Sequence, residues 1–240
     1  SEDNWTSRPM VLSFVDFQET GALSERDGMS VVLTTQLADE LNASGRVQVV
    51  ERIVIERLLE ELNIGSSDLA DPETSLRLGQ VLSAKVIGTG SLLHMPDGTL
   101  LSMRLIDTET SAIPKVINRE ISTDISLKKD LHKLNREILT TVMTTYPLHA
   151  YVVKVDGERV MINLGSNQGV VQGSKFVIIE EQEPIEYKGK KLQQAAKEVA
   201  GLEVISVELD FSYCRIIKQD RPVKRDDKAV EKIDETLTKG

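Results

Sequence analysis

The residues best suited to chemistry are few and far apart. The histidines are His94, His132 and His149, and the single cysteine is Cys214. No two of them share the i, i+4 or metal-ligand spacing that holds an ion with carboxylate support. His132 follows Leu131 in a helical pattern and is expected to face solvent. Cys214 alternates with Tyr213 and Arg215 in a strand-like run and reads as a buried core thiol. One cysteine forms no internal disulfide, and larger domains need none even in oxidising compartments.

Two glycine patterns invite a phosphate reading. Gly88-Thr89-Gly90 follows an apolar run, as a dinucleotide loop does. Leu93 stands where the third glycine of that fingerprint belongs, and a second strand follows instead of a helix. The stretch Gly169 to Lys175 contains Gly173 and Ser174, but not in the order or spacing of a phosphate loop. Gly88, Gly90, Gly165, Gly169 and Gly173 are therefore expected to be structural, serving turns and close packing. The carboxylate pairs Glu60-Glu61 and Glu180-Glu181 fall on expected exposed surface, and no Gly-x-Ser-x-Gly elbow is present. No catalytic, cofactor-binding or metal-ligating residue is assigned. The expectation is a protein that is not an enzyme and carries no cofactor.

The elements that position these residues follow from apolar spacing. Met10–Phe17 is a nearly continuous apolar run and reads as a covered strand. Over Asp27–Ser44, Leu33, Leu37 and Leu41 recur at one helix face, and Gly45 closes it. A short strand at Val47–Val50 precedes helical spacing over Glu51–Leu62. Asp71-Pro72 is a cap followed by proline at the first helical position. Ala84–Leu93, Thr99–Asp107 and Lys115–Thr123 read as strands, the first two joined through Pro96-Asp97. Ser126–Tyr146 is a long helix with Leu131, Leu134, Ile138 and Val142 on one side, and Pro147 stops it.

Beyond Pro147 the pattern changes to short strands at Ala150–Val155, Arg159–Leu164, Lys175–Glu180, Leu202–Leu209 and Ser212–Lys218, separated by glycine turns. The expected fold is an α/β sandwich with a mixed sheet over residues 1–147, then a small all-β barrel-like domain over 148–218 and a charged tail over 219–240.

Of 240 residues, 40% are apolar and 4% aromatic, so the cores must be aliphatic. The formal charge is −9. Residues 1–150 hold 14 Lys and Arg against 22 Asp and Glu, and the remainder hold 15 against 16. An acidic first part without a basic stripe argues against a nucleic-acid partner. The basic groups Lys188–Lys191 and Lys224–Arg225 each have acidic neighbours. No stretch approaches the roughly 18 consecutive apolar residues of a transmembrane helix. Membrane attachment, where it occurs, is expected through a segment upstream of Ser1.

Several segments in series carry a family resemblance. They are Val11-Leu-Ser-Phe-Val-Asp-Phe17, Leu33-Thr-Thr-Gln-Leu-Ala-Asp-Glu-Leu41, Val49-Val-Glu-Arg52, Asp71-Pro-Glu-Thr-Ser-Leu-Arg-Leu-Gly79, Ala84-Lys-Val-Ile-Gly-Thr-Gly-Ser91 and Arg104-Leu-Ile-Asp-Thr-Glu-Thr110. Their order and spacing resemble the envelope domain shared by CsgG proteins and the TolB amino-terminal domain. Val160 through Gly165, Gly169-Val-Val-Gln-Gly173 and Phe176-Val-Ile178 resemble the carboxy-terminal small barrel of FlgT proteins.

The resemblance implies a lipoprotein-associated protein of the periplasm or outer membrane that acts in assembly. Its partners are expected to be other envelope proteins, with self-association into a ring or oligomer among the options. A flagellar-ring-like scaffold, a subunit of a CsgG-like secretion channel and an activator of a cell-wall synthase are all compatible with it. No catalytic residue is brought with it. The loop Glu181–Lys191 and the tail Arg221–Gly240 are the candidate contact regions.

Overall fold

The computed structural model describes residues 2–21, 28–65, 67–68, 71–122 and 126–233. They divide into two compact units, Met10–Thr141 and Ser1–Pro9 with Val142–Gly240.

The first unit contains β1 (Val11–Phe14), β2 (Gln18–Thr20), α1 (Met29–Ala43), β3 (Gln48–Val49), α2 (Arg52–Glu61), α3 (Pro72–Val81), β4 (Val86–Met95), β5 (Gly98–Asp107) and β6 (Lys115–Ile121). Most of α4 (Leu127–Thr145) belongs to it as well. Its sheet runs β3-β1-β4-β5-β6, with β2 also paired to β4. The pairs β1–β3, β1–β4 and β2–β4 are parallel, while β4–β5 and β5–β6 are antiparallel, so the sheet is mixed.

Apolar periodicity explains the helices. Leu33, Leu37 and Leu41 of α1 are buried, as are Leu131, Leu134 and Ile138 of α4. Ile55 of α2 and Leu78 of α3 join Val15, Ile87 and Ile106 in one apolar cluster against the sheet. Asp71 caps α3 by accepting the Glu73 amide at 3.2 Å. Gly45, at φ 75°, follows the last turn of α1. Glu40 of α1 accepts from Asn135 of α4 at 2.6 Å and meets His132 at 2.5 Å, which ties the two helices together.

The apolar run Met10–Phe17 reads as one strand, but the structure interrupts it. The Val15 amide still donates to Gly88 O at 3.0 Å, whereas the Phe17 amide donates to Ser30 Oγ of α1 at 2.7 Å. A side-chain hydroxyl has replaced the ladder partner, so Asp16 sits in a break between β1 and β2. The helix start at Asp27 and the strand end at Thr123 lie outside the described residues.

The second unit is a closed six-stranded antiparallel barrel. In chain order it contains β7 (His149–Asp156), β8 (Arg159–Ile162), β9 (Lys175–Glu180), β10 (Ile185–Tyr187), β11 (Lys190–Leu192), β12 (Lys197–Val207), β13 (Ser212–Gln219) and β14 (Lys228–Lys232). The barrel order is β12-β13-β8-β7-β14-β9, and β10–β11 is a separate two-stranded sheet. Its core is aliphatic apart from Phe176 and Cys214, with Val152, Ile162, Leu202 and Val204 among its members.

The barrel also draws on residues outside 148–218. Residues 228–232 are not tail but β14, paired with β7 on one side and β9 on the other. The strand is easily missed because its five residues include two lysines and a glutamate, and only Ala229 is a buried apolar residue. Glu231 is buried at its inner end and accepts the Leu148 amide at 3.2 Å. Residues 234–240 of the expected tail lie outside the described residues. At the other end, Ser1–Pro9 belongs with the barrel rather than the first unit. The Trp5 indole donates to Ala150 O at 2.8 Å, and Ser7 exchanges two hydrogen bonds with the His149 backbone. The units part at Thr141/Val142, a few residues before Pro147.

Candidate interaction site

Each residue that could do chemistry has its own local setting in the structure. His94 is buried on β4, hydrogen-bonded to Thr99 and to Glu19 of β2, each at 2.9 Å, and so fastens β2 to the sheet. His132 is exposed on α4. His149 on β7 stacks on Trp5 with ring centroids 4.1 Å apart. Burial, and then the nearby Lys228, lower its pKa from the usual 6.5. Cys214 is fully buried in the barrel, and burial pushes its thiol up to about 12. Among the described residues no group of three or more His, Cys, Asp or Glu converges as a metal site.

The five glycines sit at crowded or left-handed positions. A Cβ at Gly88 would lie 2.5 Å from the Phe14 ring, and one at Gly90 would lie 2.1 Å from Ser102 O. A Cβ at Gly165 would lie 2.3 Å from Glu208 O. Gly169 and Gly173 adopt φ of 99° and 86°.

A concavity of the first unit lies beyond the carboxyl ends of β1 and β3, lined also by residues of α1 and α2. It is a groove of about 190 Å³. Phe14, Ala38, Val49, Ile55 and Leu59 line its apolar part. Its charged lining is Asp16, Asp39, Glu51, Arg52 and Glu56. The Arg52 guanidinium is engaged within the groove: Nη1 and Nη2 each donate to Asp16 at 2.6 Å, and Nε donates to Glu56 at 2.8 Å. Asp39 and Glu51 meet no cation among the described residues, which leaves the rim acidic around an apolar floor. Such a lining suits a basic and apolar protein segment.

These carboxylates are scattered along the sequence, and only tertiary packing gathers them. The one signal available beforehand is Asp16, the single charge inside a nearly continuous apolar run. Within the contact regions expected from sequence, the described residues 181–191 and 221–233 include strands. Glu181–Lys191 contains most of the β10–β11 hairpin, in which Ile185 opposes Leu192, Glu186 opposes Lys191 and Tyr187 opposes Lys190. Arg221 donates to both oxygens of Asp227, at 2.9 and 3.1 Å, and also to Glu180, which anchors the approach to β14.

The CsgG family, described as the curli production assembly/transport component, matches residues 12–96. The C-terminal domain of flagellar assembly protein T matches residues 157–230. Among solved structures, the LpoB C-terminal domain from Escherichia coli is 17% identical, the alignment covering 51% of this chain and 88% of that one at a TM-score of 0.40. The same domain from Salmonella enterica is 17% identical, with 50% and 87% covered at 0.39. TolB from Acinetobacter baumannii is 11% identical, with 93% and 64% covered at 0.37. No curated protein matches the sequence. The chain thus joins, in this order, a region similar to CsgG and a region similar to the C-terminal domain of flagellar assembly protein T.

Proposed function

We propose that this protein is an envelope-associated assembly module that acts by binding other proteins and does no catalysis. The observation that carries the reading is the joining, in one chain, of two regions that are each similar to an assembly component. The acidic groove with its apolar floor and the exposed hairpin are the surfaces suited to such contacts. The site is taken to be the periplasm or the periplasmic side of the outer membrane, and the role a scaffold within a larger complex.

A channel subunit is the competing reading, since the CsgG description includes transport. A membrane hairpin added to this domain needs two strands of about 9–11 residues each. β4 and β5 are joined through Pro96-Asp97 alone, and seven residues, 108–114, join β5 to β6. Neither link holds such an insertion, which favours the docking role.

The test is photo-crosslinking in the native host from Asp39 in the groove and Tyr187 on the hairpin, read by mass spectrometry. Envelope proteins are expected among the adducts from at least one position. Fractionation of the protein into the cytoplasm, or adducts with cytoplasmic proteins alone, would falsify the reading.

A further inference from the structure

The β10–β11 hairpin stands outside the barrel, yet its shape is well specified. Lys188 and Gly189 at its tip have φ of 48° and 76°, the doubly left-handed conformation that suits a tight two-residue hairpin turn. Its stem is laced by amide side chains: Gln182 donates to Ala195 O at 3.1 Å, and Gln194 donates to Glu183 O at 2.9 Å. The register places Ile185, Leu192, Tyr187 and Lys190 on one face and Glu186 with Lys191 on the other. Ile185, Tyr187 and Leu192 are 51%, 57% and 49% exposed. A lone two-stranded sheet is marginal in water, so an uncovered apolar face on one calls for a partner.

The charge pattern says what kind. Residues 185–192 hold three lysines and one glutamate, a local +2 within a chain of −9. Glu186 lies opposite Lys191 on the far face, so the apolar face carries positive charge only. Lys188 Nζ lies 5.3 Å from the Tyr187 ring centroid, beside that face. The complementary surface is found on the same molecule: the groove of the first unit has an apolar floor and four carboxylates against one arginine, a local −3.

We propose that the hairpin of one copy seats in the groove of a second copy. This deepens the assembly reading by naming another copy of this chain as a partner. The apolar contact of Ile185, Tyr187 and Leu192 with the groove floor supplies the attraction. The exposed charges orient the encounter, because each such pair contributes little by itself. The contact is heterologous: each added copy brings a free hairpin and a free groove, so association continues into a ring or a filament.

Sedimentation velocity of the full chain at low and high salt tests this. The wild type is expected to associate with rising concentration, and less so in high salt. Lys188→Glu with Lys190→Glu reverses the hairpin, and Asp39→Lys with Glu51→Lys reverses the groove at side chains that hold no ion pair among the described residues. Each double variant alone is expected to associate at least about tenfold more weakly, and an equimolar mixture of the two to recover association. Circular dichroism confirms that both remain folded. A wild type that stays monomeric at all concentrations overturns the proposal, as does a mixture no better than its components. A monomeric wild type that co-floats with phosphatidylglycerol vesicles assigns the hairpin to a lipid surface and overturns it equally. These outcomes are independent of cellular location, so failure here is distinguishable from failure of the assembly reading.

Discussion

Arg52, in the first turn of α2, grips Asp16 in the break between β1 and β2 with two hydrogen bonds of 2.6 Å. This fork closes one wall of the groove and couples the end of a core strand to the helix that packs on it. The Asp16 hydrogen bond is the largest cause of the raised Arg52 pKa, so the guanidinium is held in its charged form. Both side chains are a third or more exposed.

Solvent screening makes the pair modest in stability terms. Arg52→Gln is expected to cost no more than about 1 kcal/mol, and the cost should shrink as salt rises. Urea unfolding at two ionic strengths checks this. A loss of several kcal/mol that is insensitive to salt contradicts it.

Gly90 and Gly173 should respond differently to alanine. At Gly90 the new methyl meets the Ser102 carbonyl and the Met103 Cα, both backbone atoms of β5 that cannot rotate away. Gly90→Ala is expected to cost more than about 3 kcal/mol or to prevent folding. At Gly173 the methyl meets open space, and only the left-handed φ of 86° is penalised, for about 1 kcal/mol. Denaturant midpoints of the two variants should therefore be far apart.

Cys214 should be silent in the native protein. Burial raises its pKa from 9.0 to about 12, so native protein is expected to resist a thiol reagent at pH 8 and to react fully in urea. Above pH 9 the unfolded chain loses the proton while the native chain keeps it, so stability falls as pH rises. Cys214→Ala should flatten that alkaline decline, at a cost of about 1–2 kcal/mol for the cavity. Rapid native labelling would count against the buried site.

His149 shapes the acid side. Its lowered native pKa means that the unfolded chain takes up a proton first as pH falls below 6.5. Its contribution to stability is present above 6.5 and is lost as pH drops through the lower native value. His149→Phe keeps an aromatic ring on Trp5 without the titration and should reduce the acid slope of stability. Lys228→Met removes the neighbouring cation and should raise the native His149 pKa, as read by proton NMR.

Much of the fold is legible before any coordinates. The leucine rows of α1 and α4 mark buried faces, and Asp71-Pro72 marks a helix start, because both depend on interactions within one turn of chain. The hairpin β4–β5 is equally plain, since its two strands flank a two-residue link. The break at Asp16 is not, because it depends on Ser30 of α1 reaching the Phe17 amide. Nor is β14, whose five residues are strand only because β7 and β9 each offer an unpaired edge.

By itself the sequence determined the two-part order of the chain, the aliphatic cores and the separation of its histidines and cysteine. Those properties follow from local periodicity, turn residues and spacing. Tertiary structure alone decided that residues 3–7 join the barrel, that 228–232 close it, and that Asp16, Asp39, Glu51 and Glu56 line one groove. The reason is physical: strand closure and charge clustering are contacts between residues distant in the chain, and no local pattern encodes which distant partner satisfies them.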